Sequence, residues 1–151
     1  MVGSGVDRER VKEIAEKQSL NISFTGLVGH DQIASVLAQA DCLLVSLVAN
    51  PIVSKTVPSK IPTYMAAGKP IVGSLNGEGA KIIKEAQAGL VSEADNAELL
   101  AKNILLLYND AEGQREIFGT RSYQYFQKQF EISAVAKKFQ NILEEDLMLS
   151  K

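Results

Sequence analysis

The run C-L-L-V-S-L-V at residues 42–48 does most to limit what this chain can become. It is almost wholly apolar, without the alternation of a half-solvated strand, so it reads as a strand buried on both faces. Helix-period segments surround it. Ile33, Val36, Leu37 and Ala40 share one helical face upstream, as do Val11, Ile14 and Ala15 earlier. Between those two segments, I-S-F-T at 22–25 reads as another strand. Downstream, I-V-G-S at 71–74 and G-L-V at 89–91 read as shorter strands, with Ile82, Ile83 and Ala86 marking a helix between them. Alternation of this kind predicts an α/β fold, a parallel sheet with right-handed crossovers and flanking helices. After Val91 the strands stop. Helices are predicted over 96–109, 113–130 and 132–147, the last with an apolar stripe through Ile132, Val135, Ala136, Phe139, Ile142 and Leu143.

The 151 residues are expected to form one domain, 1–151. M-V-G-S-G reads as the tail of a strand and a glycine turn, so the chain looks cut from a longer one. Sixteen basic and 18 acidic side chains leave a net charge of −2, with no global pull toward nucleic acid. The single cysteine, Cys42, excludes an internal disulfide and reads as strand core. With one histidine beside it, the chain cannot build a His/Cys zinc site. No apolar run is long enough for a membrane helix, and the first residues do not read as a signal peptide.

The segment V-P-S-K-I-P-T-Y-M-A-A-G-K-P-I-V, from Val57 to Val72, holds two places that resemble phosphate sites. Gly68-Lys69 fails as a Walker loop, because Thr63 replaces the required first glycine and Pro70 follows the lysine. Gly68 and Pro70 read instead as a helix stop. The other end carries more. Pro58 holds Val57 extended, Ser59 is an expected N-cap, and the helix opens at the carboxyl end of the 42–48 strand. Ligands of open α/β sheets sit at that edge, where free backbone N–H groups attract anions. Lys60 and Lys55 add positive charge, or are solvated surface. Pro62 removes a donor from the first turn.

Three glycine pairs are expected at the same edge: Gly3 and Gly5, Gly26 and Gly29, Gly77 and Gly79. Each permits close approach of backbone to a ligand, or is an ordinary tight turn. His30 reads as a loop residue, with Asp31 capping the next helix. Glu78 faces a ligand or favours the helix N-terminus behind it. Dinucleotide binding fits poorly: Arg8 stands where Gly3-x-Gly5 would need a third glycine, and no acid follows Phe24-Thr25 for a ribose.

Taken in order, N-I-S-F-T-G-L-V, A-D-C-L-L-V-S-L, P-S-K-I-P-T-Y-M-A-A-G-K-P-I-V, N-G-E-G-A-K-I-I and A-G-L-V resemble one known domain. This is the C-terminal, nucleotide-sugar-binding domain of GT-B retaining glycosyltransferases of bacterial surface polysaccharides. The resemblance covers nearly the whole chain. It implies one Rossmann-like half of a two-domain enzyme, whose N-terminal acceptor domain and most of whose first strand lie outside this sequence. It implies transfer of a sugar, in the nearest subgroup an amino sugar, from a UDP-sugar to a capsule, O-antigen or lipid-linked acceptor. No cofactor and no metal are expected, and the location is cytoplasmic, at the inner face of the membrane in the full-length protein. The turn from Gly26 to Gly29 would border the base, Ser59 and Lys60 the diphosphate, and Gly77–Gly79 the donor sugar. Lys55 and Thr63 stand where the family often has two glutamates, the second gripping the ribose hydroxyls, so a weaker hold on ribose is implied. The acceptor domain would be the chain's partner, and the closing helix would serve for self-association. A nucleotide-sugar 2-epimerase half and a degenerate, non-catalytic GT-B domain used for protein interaction are the alternatives.

Overall fold

The computed structural model describes residues 1–110 and 112–149, with the side chains of the last helix described as far as Glu145. The chain divides into two compact units, Met1–Val36 and Leu37–Lys151.

The first unit holds α1 (Arg8–Lys17) and most of α2 (His30–Ala38). Ala15 is buried and Val11 half-buried, whereas Ile14 is largely exposed. The expected strand at 22–25 does not form. Its place is taken by a single parallel bridge between Val2 and Gly26. The Gly3 amide donates to the Gly26 carbonyl at 2.7 Å and the Thr25 amide to the Met1 carbonyl at 3.0 Å. Among the described residues, Met1–Gly3 are the only neighbouring strand-like backbone that pairs with this segment, and two short strands without a third are marginal.

The second unit carries a parallel sheet in the order β1 (Leu43–Ser46), β2 (Ile71–Ser74), β3 (Gly89–Ser92). Leu43 pairs with Ile71, and Ile71 with Gly89. The central strand β2 is buried along its whole length. The edge strand β1 corrects the expectation of two buried faces. Val45 is 1% exposed but its neighbour Leu44 is 50% exposed, because only one face is packed. α3 (Lys60–Ala66) and α4 (Glu78–Glu85) connect the strands, and α5 (Ala97–Tyr108), α6 (Gln114–Gln129) and α7 (Ile132–Leu149) follow. Ile61, Met65, Ile71, Leu75 and Ile83 form the fully buried centre, drawn from β2 and the facing sides of its helices. α3 stops as expected: Gly68 adopts φ +64° and its amide closes the turn onto the Met65 carbonyl at 3.0 Å, just ahead of Pro70.

The stripe on α7 is exposed as expected. Ile132, Val135, Phe139, Ile142 and Leu143 all lie open. Leu147, at its far end, lies outside the described side chains.

Candidate functional site

The loop after β1 organises itself. The Asn50 side-chain carbonyl accepts from the Ile52 and Val53 amides at 2.8 and 3.2 Å. The Ser54 hydroxyl donates to the Pro51 carbonyl at 3.0 Å, and a 3-10 turn spans Val53–Lys55. Pro58 then leads into α3. Ser59 is not the side-chain cap expected of it. Its backbone is already helical at φ −57°, ψ −22°, and its hydroxyl makes no capping bond. The helix instead begins on main-chain acceptors: the Pro58 carbonyl takes the Ile61 amide at 2.9 Å. Pro62 offers no amide for that i−4 bond, which is why Ile61 closes the turn one residue early. The Ser59 carbonyl accepts from the Thr63 amide at 3.4 Å and from the Thr63 hydroxyl at 2.9 Å. Ile61 and Met65 point inward, so Ser59, Lys60 and Thr63 are left on the exposed face. Among the described residues the Ser59 and Lys60 amides have no acceptor, and neither Lys55 nor Lys60 forms an ion pair.

The loop after β2 is pressed onto this one. Gly77 has φ +74° and ψ −145°, and a Cβ there would fall 1.9 Å from the Ser54 carbonyl oxygen. Only glycine fits, and the contact holds the turn carrying Lys55 against the start of α4. Gly79 is buried, and a Cβ on it would meet Leu75, Ile61 and Pro58 at 2.8 to 3.1 Å. It is therefore the point where the first turns of α4 and α3 touch. Glu78 between them is exposed, its carboxylate 4.0 Å from the Lys81 ammonium.

Two residues that the sequence pattern did not single out tie in the loop after β3. Asp95, at φ +63°, accepts from the Ala49 amide at 2.9 Å. Asn76 accepts from the Ala94 amide at 3.2 Å. The only local signal is Asp95-Asn96 ahead of a helical run, where Asn96 caps α5 by accepting from the Leu99 amide. A groove of about 400 Å³ runs along α4 past Asn76, Gly77, Lys81, Lys84 and Glu93. The carboxyl edge of the sheet thus gathers Lys55, Ser59, Lys60, Thr63, Gly77 and Glu78. Two lysines, two unpaired amides and two hydroxyl-bearing residues make a surface fit for an anion with hydroxyl groups beside it.

In the first unit Gly3 and Gly26 face each other across the Val2–Gly26 bridge, and Gly5 accepts from the Arg8 amide at 3.1 Å. Gly3, Gly5 and Gly26 have open space where a Cβ would stand. His30 is exposed and is itself the first residue of α2, one position earlier than expected, so Asp31 sits inside the first turn rather than capping it. Its charge still favours that end of the helix. Gly29 precedes it, with the Asp31 carboxylate filling the space beside its Cα.

Cys42 stands just before β1 and is half-buried. Burial pushes its thiol up, away from a reactive thiolate. Among the described residues no three His, Cys, Asp or Glu side chains gather as a metal site would need, and no helix is long and apolar enough to cross a membrane.

A parallel sheet with connecting helices, its loops joined at the carboxyl edge, is the Rossmann-like architecture of a GT-B half. Residues 1–110 match the family described as Glycosyl transferases group 1, and the chain belongs to that family. No curated protein matches the sequence. Among solved structures it is similar to HepE (Alr3699) of Anabaena, crystallised with UDP-glucose. The TM-score is 0.76 at 17% identity, over 95% of this chain and 40% of that one. It is similar to the pneumococcal O-GlcNAc transferase GtfA, solved with UDP and GlcNAc, at TM-score 0.73 and 18% identity over 97% and 29%. It is also similar to WaaG, a glycosyltransferase involved in lipopolysaccharide biosynthesis, at TM-score 0.68 and 22% identity over 91% and 35%. The chain spans about two fifths or less of each.

Proposed function

We propose that this chain is the C-terminal, donor-nucleotide half of a retaining glycosyltransferase that uses a UDP-sugar. The observation that carries the reading is the Gly77–Ser54 contact, which sets Lys55, the start of α3 and the start of α4 around one sheet edge. The UDP-glucose in HepE and the UDP and GlcNAc in GtfA support a UDP-sugar, here an amino sugar. The role of WaaG supports a surface-polysaccharide acceptor of the capsule, O-antigen or lipid-linked kind. On this reading the Ser59 and Lys60 amides, with the Lys60 and Lys55 ammonium groups, bind the diphosphate and stabilise the charge that develops as it leaves. Thr63 lies beside the ribose, and Gly77, Glu78 and Gly79 beside the sugar. The acceptor binds to a separate N-terminal domain, the enzyme works at the inner face of the membrane, and no divalent metal takes part.

Calorimetric titration with UDP and with uridine, in EDTA, tests the reading. Thr63→Glu gives the ribose hydroxyls a charged acceptor in place of a hydroxyl already bonded to the Ser59 carbonyl. A charge-assisted bond of about 1.5 kcal/mol corresponds to roughly tenfold tighter binding of both ligands. Lys60→Ala should weaken UDP and leave uridine nearly unchanged. Unchanged UDP affinity in both variants would remove the nucleotide from this edge and favour a non-catalytic GT-B domain. The chain alone should form no product from UDP-GlcNAc and a polyprenyl-linked acceptor; turnover would contradict the division of labour.

A further inference from the structure

The three loops at the carboxyl edge are tied to one another in pairs. The loop after β1 meets the loop after β2 where the Ser54 carbonyl lies against Gly77. The loop after β2 holds the loop after β3 through the Asn76 side-chain carbonyl, which accepts from the Ala94 amide at 3.2 Å. The loop after β3 holds the loop after β1 through Asp95, whose carboxylate accepts from the Ala49 amide at 2.9 Å. Because β2 lies between β1 and β3, this last bond reaches across the end of the central strand and closes a ring of loops around it.

Asp95 is held in a conformation that its residue type resists. The Asn96 amide donates to the Glu93 carbonyl at 3.3 Å, closing a turn with Asp95 in third place at φ +63°. Glycine or asparagine is the usual choice there. A side chain in the left-handed region costs stability and persists where its surroundings over-determine it. The Asp95 carboxylate is exposed, and among the described residues its only bond is to Ala49. That bond sits at a strategic point of the loop. The last rung of the β1–β2 ladder is the Leu47 amide on the Ser74 carbonyl. Between that rung and the Ser54–Gly77 contact, the Ala49–Asp95 bond is the one hydrogen bond to another element among the described residues. We infer that Asp95 is a positioning residue for the donor site: its carboxylate fixes the loop after β1, and with it Lys55, before a ligand arrives. This rests on the reading that Lys55 serves the diphosphate. A loop ordered in advance loses less freedom on binding and so holds the anion more tightly.

Two substitutions separate the carboxylate from the backbone that carries it. Asp95→Gly removes the acceptor and relieves the left-handed residue, whereas Asp95→Asn keeps an acceptor and tolerates that backbone. Asp95→Gly should melt within about 3 °C of wild type, since the relief offsets the lost bond. It should nevertheless bind UDP roughly three- to tenfold more weakly and uridine, which lacks phosphates, almost unchanged. Asp95→Asn should stay within about twofold of wild type for UDP. Amide hydrogen exchange reads the loop without any ligand. The Ser54, Lys55 and Thr56 amides bond to the carbonyls of Asn50, Ile52 and Val53, so loss of the Asp95 carboxylate reaches them only by loosening the loop. They should exchange faster in Asp95→Gly, while Val72 and Gly73 in β2 should not. A wild-type chain that does not bind UDP contradicts the donor reading, and exchange then decides by itself whether Asp95 fixes the loop. Unchanged exchange at Ser54, Lys55 and Thr56 overturns the inference whether or not UDP binds. In a chain that binds UDP, it is overturned equally by full UDP affinity in Asp95→Gly, by equal losses for UDP and uridine, or by Asp95→Asn binding as weakly as Asp95→Gly.

Discussion

Replacing Gly77 by alanine should separate two costs that a glycine can hide. Gly77 sits at φ +74°, ψ −145°, close to a region that side chains almost never enter. Holding a non-glycine residue there costs about 1–3 kcal/mol. The new Cβ would also lie 1.9 Å from the Ser54 carbonyl oxygen and 2.7 Å from its Cβ, so two backbone segments must move apart. Forced repacking of that kind adds about 1–3 kcal/mol. Gly113 supplies the control. It is also left-handed, at φ +72°, but a Cβ there meets nothing within 4 Å. Gly113→Ala should therefore cost only the strain of a left-handed residue, about 1–2 kcal/mol. In a chain this long each kcal/mol shifts the melting temperature by about 2–4 °C. Calorimetric melting should therefore place Gly77→Ala several degrees below Gly113→Ala. Gly77→Ala should also weaken UDP, because the displaced turn carries Lys55, whereas Gly113→Ala should not. Equal melting shifts in the two variants, or UDP affinity lost in both, would refute the claim that the Ser54–Gly77 contact shapes the site.

Two further outcomes concern stability. Met65 is fully buried among Ile61, Ile71 and Ile83. Met65→Ala should cost about 2–5 kcal/mol in urea unfolding, and Leu44→Ala on the open face of β1 far less. The Arg115 amide, followed by those of Gln114 and Glu112, holds the Asp110 carboxyl below its usual range. A carboxylate depressed in the folded state stabilises above its unfolded pKa of about 3.9, and that contribution fades as pH falls through the folded value. Asp110→Asn should thus unfold at lower denaturant than wild type at pH 7, and the two midpoints should converge toward pH 2.

Local patterns carried much of the fold. I-V-G-S became β2 over Ile71–Ser74, and the three closing helices fall within two residues of their expected ends. Gly68 and Pro70 stop α3 by means that act within a few residues. What depended on distant partners was not legible. Ile22–Thr25 has strand composition, but among the described residues its backbone pairs only with Met1–Gly3, so one bridge forms. The apolar run at 42–48 could not reveal that the sheet leaves the Leu44 face open. Ser59 has a capping side chain, yet Pro58 begins the helical turn ahead of it and Pro62 alters the bonding behind it. At the candidate site, the lysines and glycines stood out by type. The roles of Asn76 and Asp95 did not, because each bonds an amide on another loop, Asp95 46 residues away.

The central claim, that the loops after β1 and β2 hold the donor nucleotide, is tested most directly by amide chemical-shift mapping. Isotope-labelled chain is titrated with UDP in EDTA. Saturable shifts are expected at Lys55, Ser59, Lys60, Thr63 and Gly77, with α6 and α7 unmoved. No shifts at millimolar UDP, or shifts confined to residues away from this edge, would contradict it.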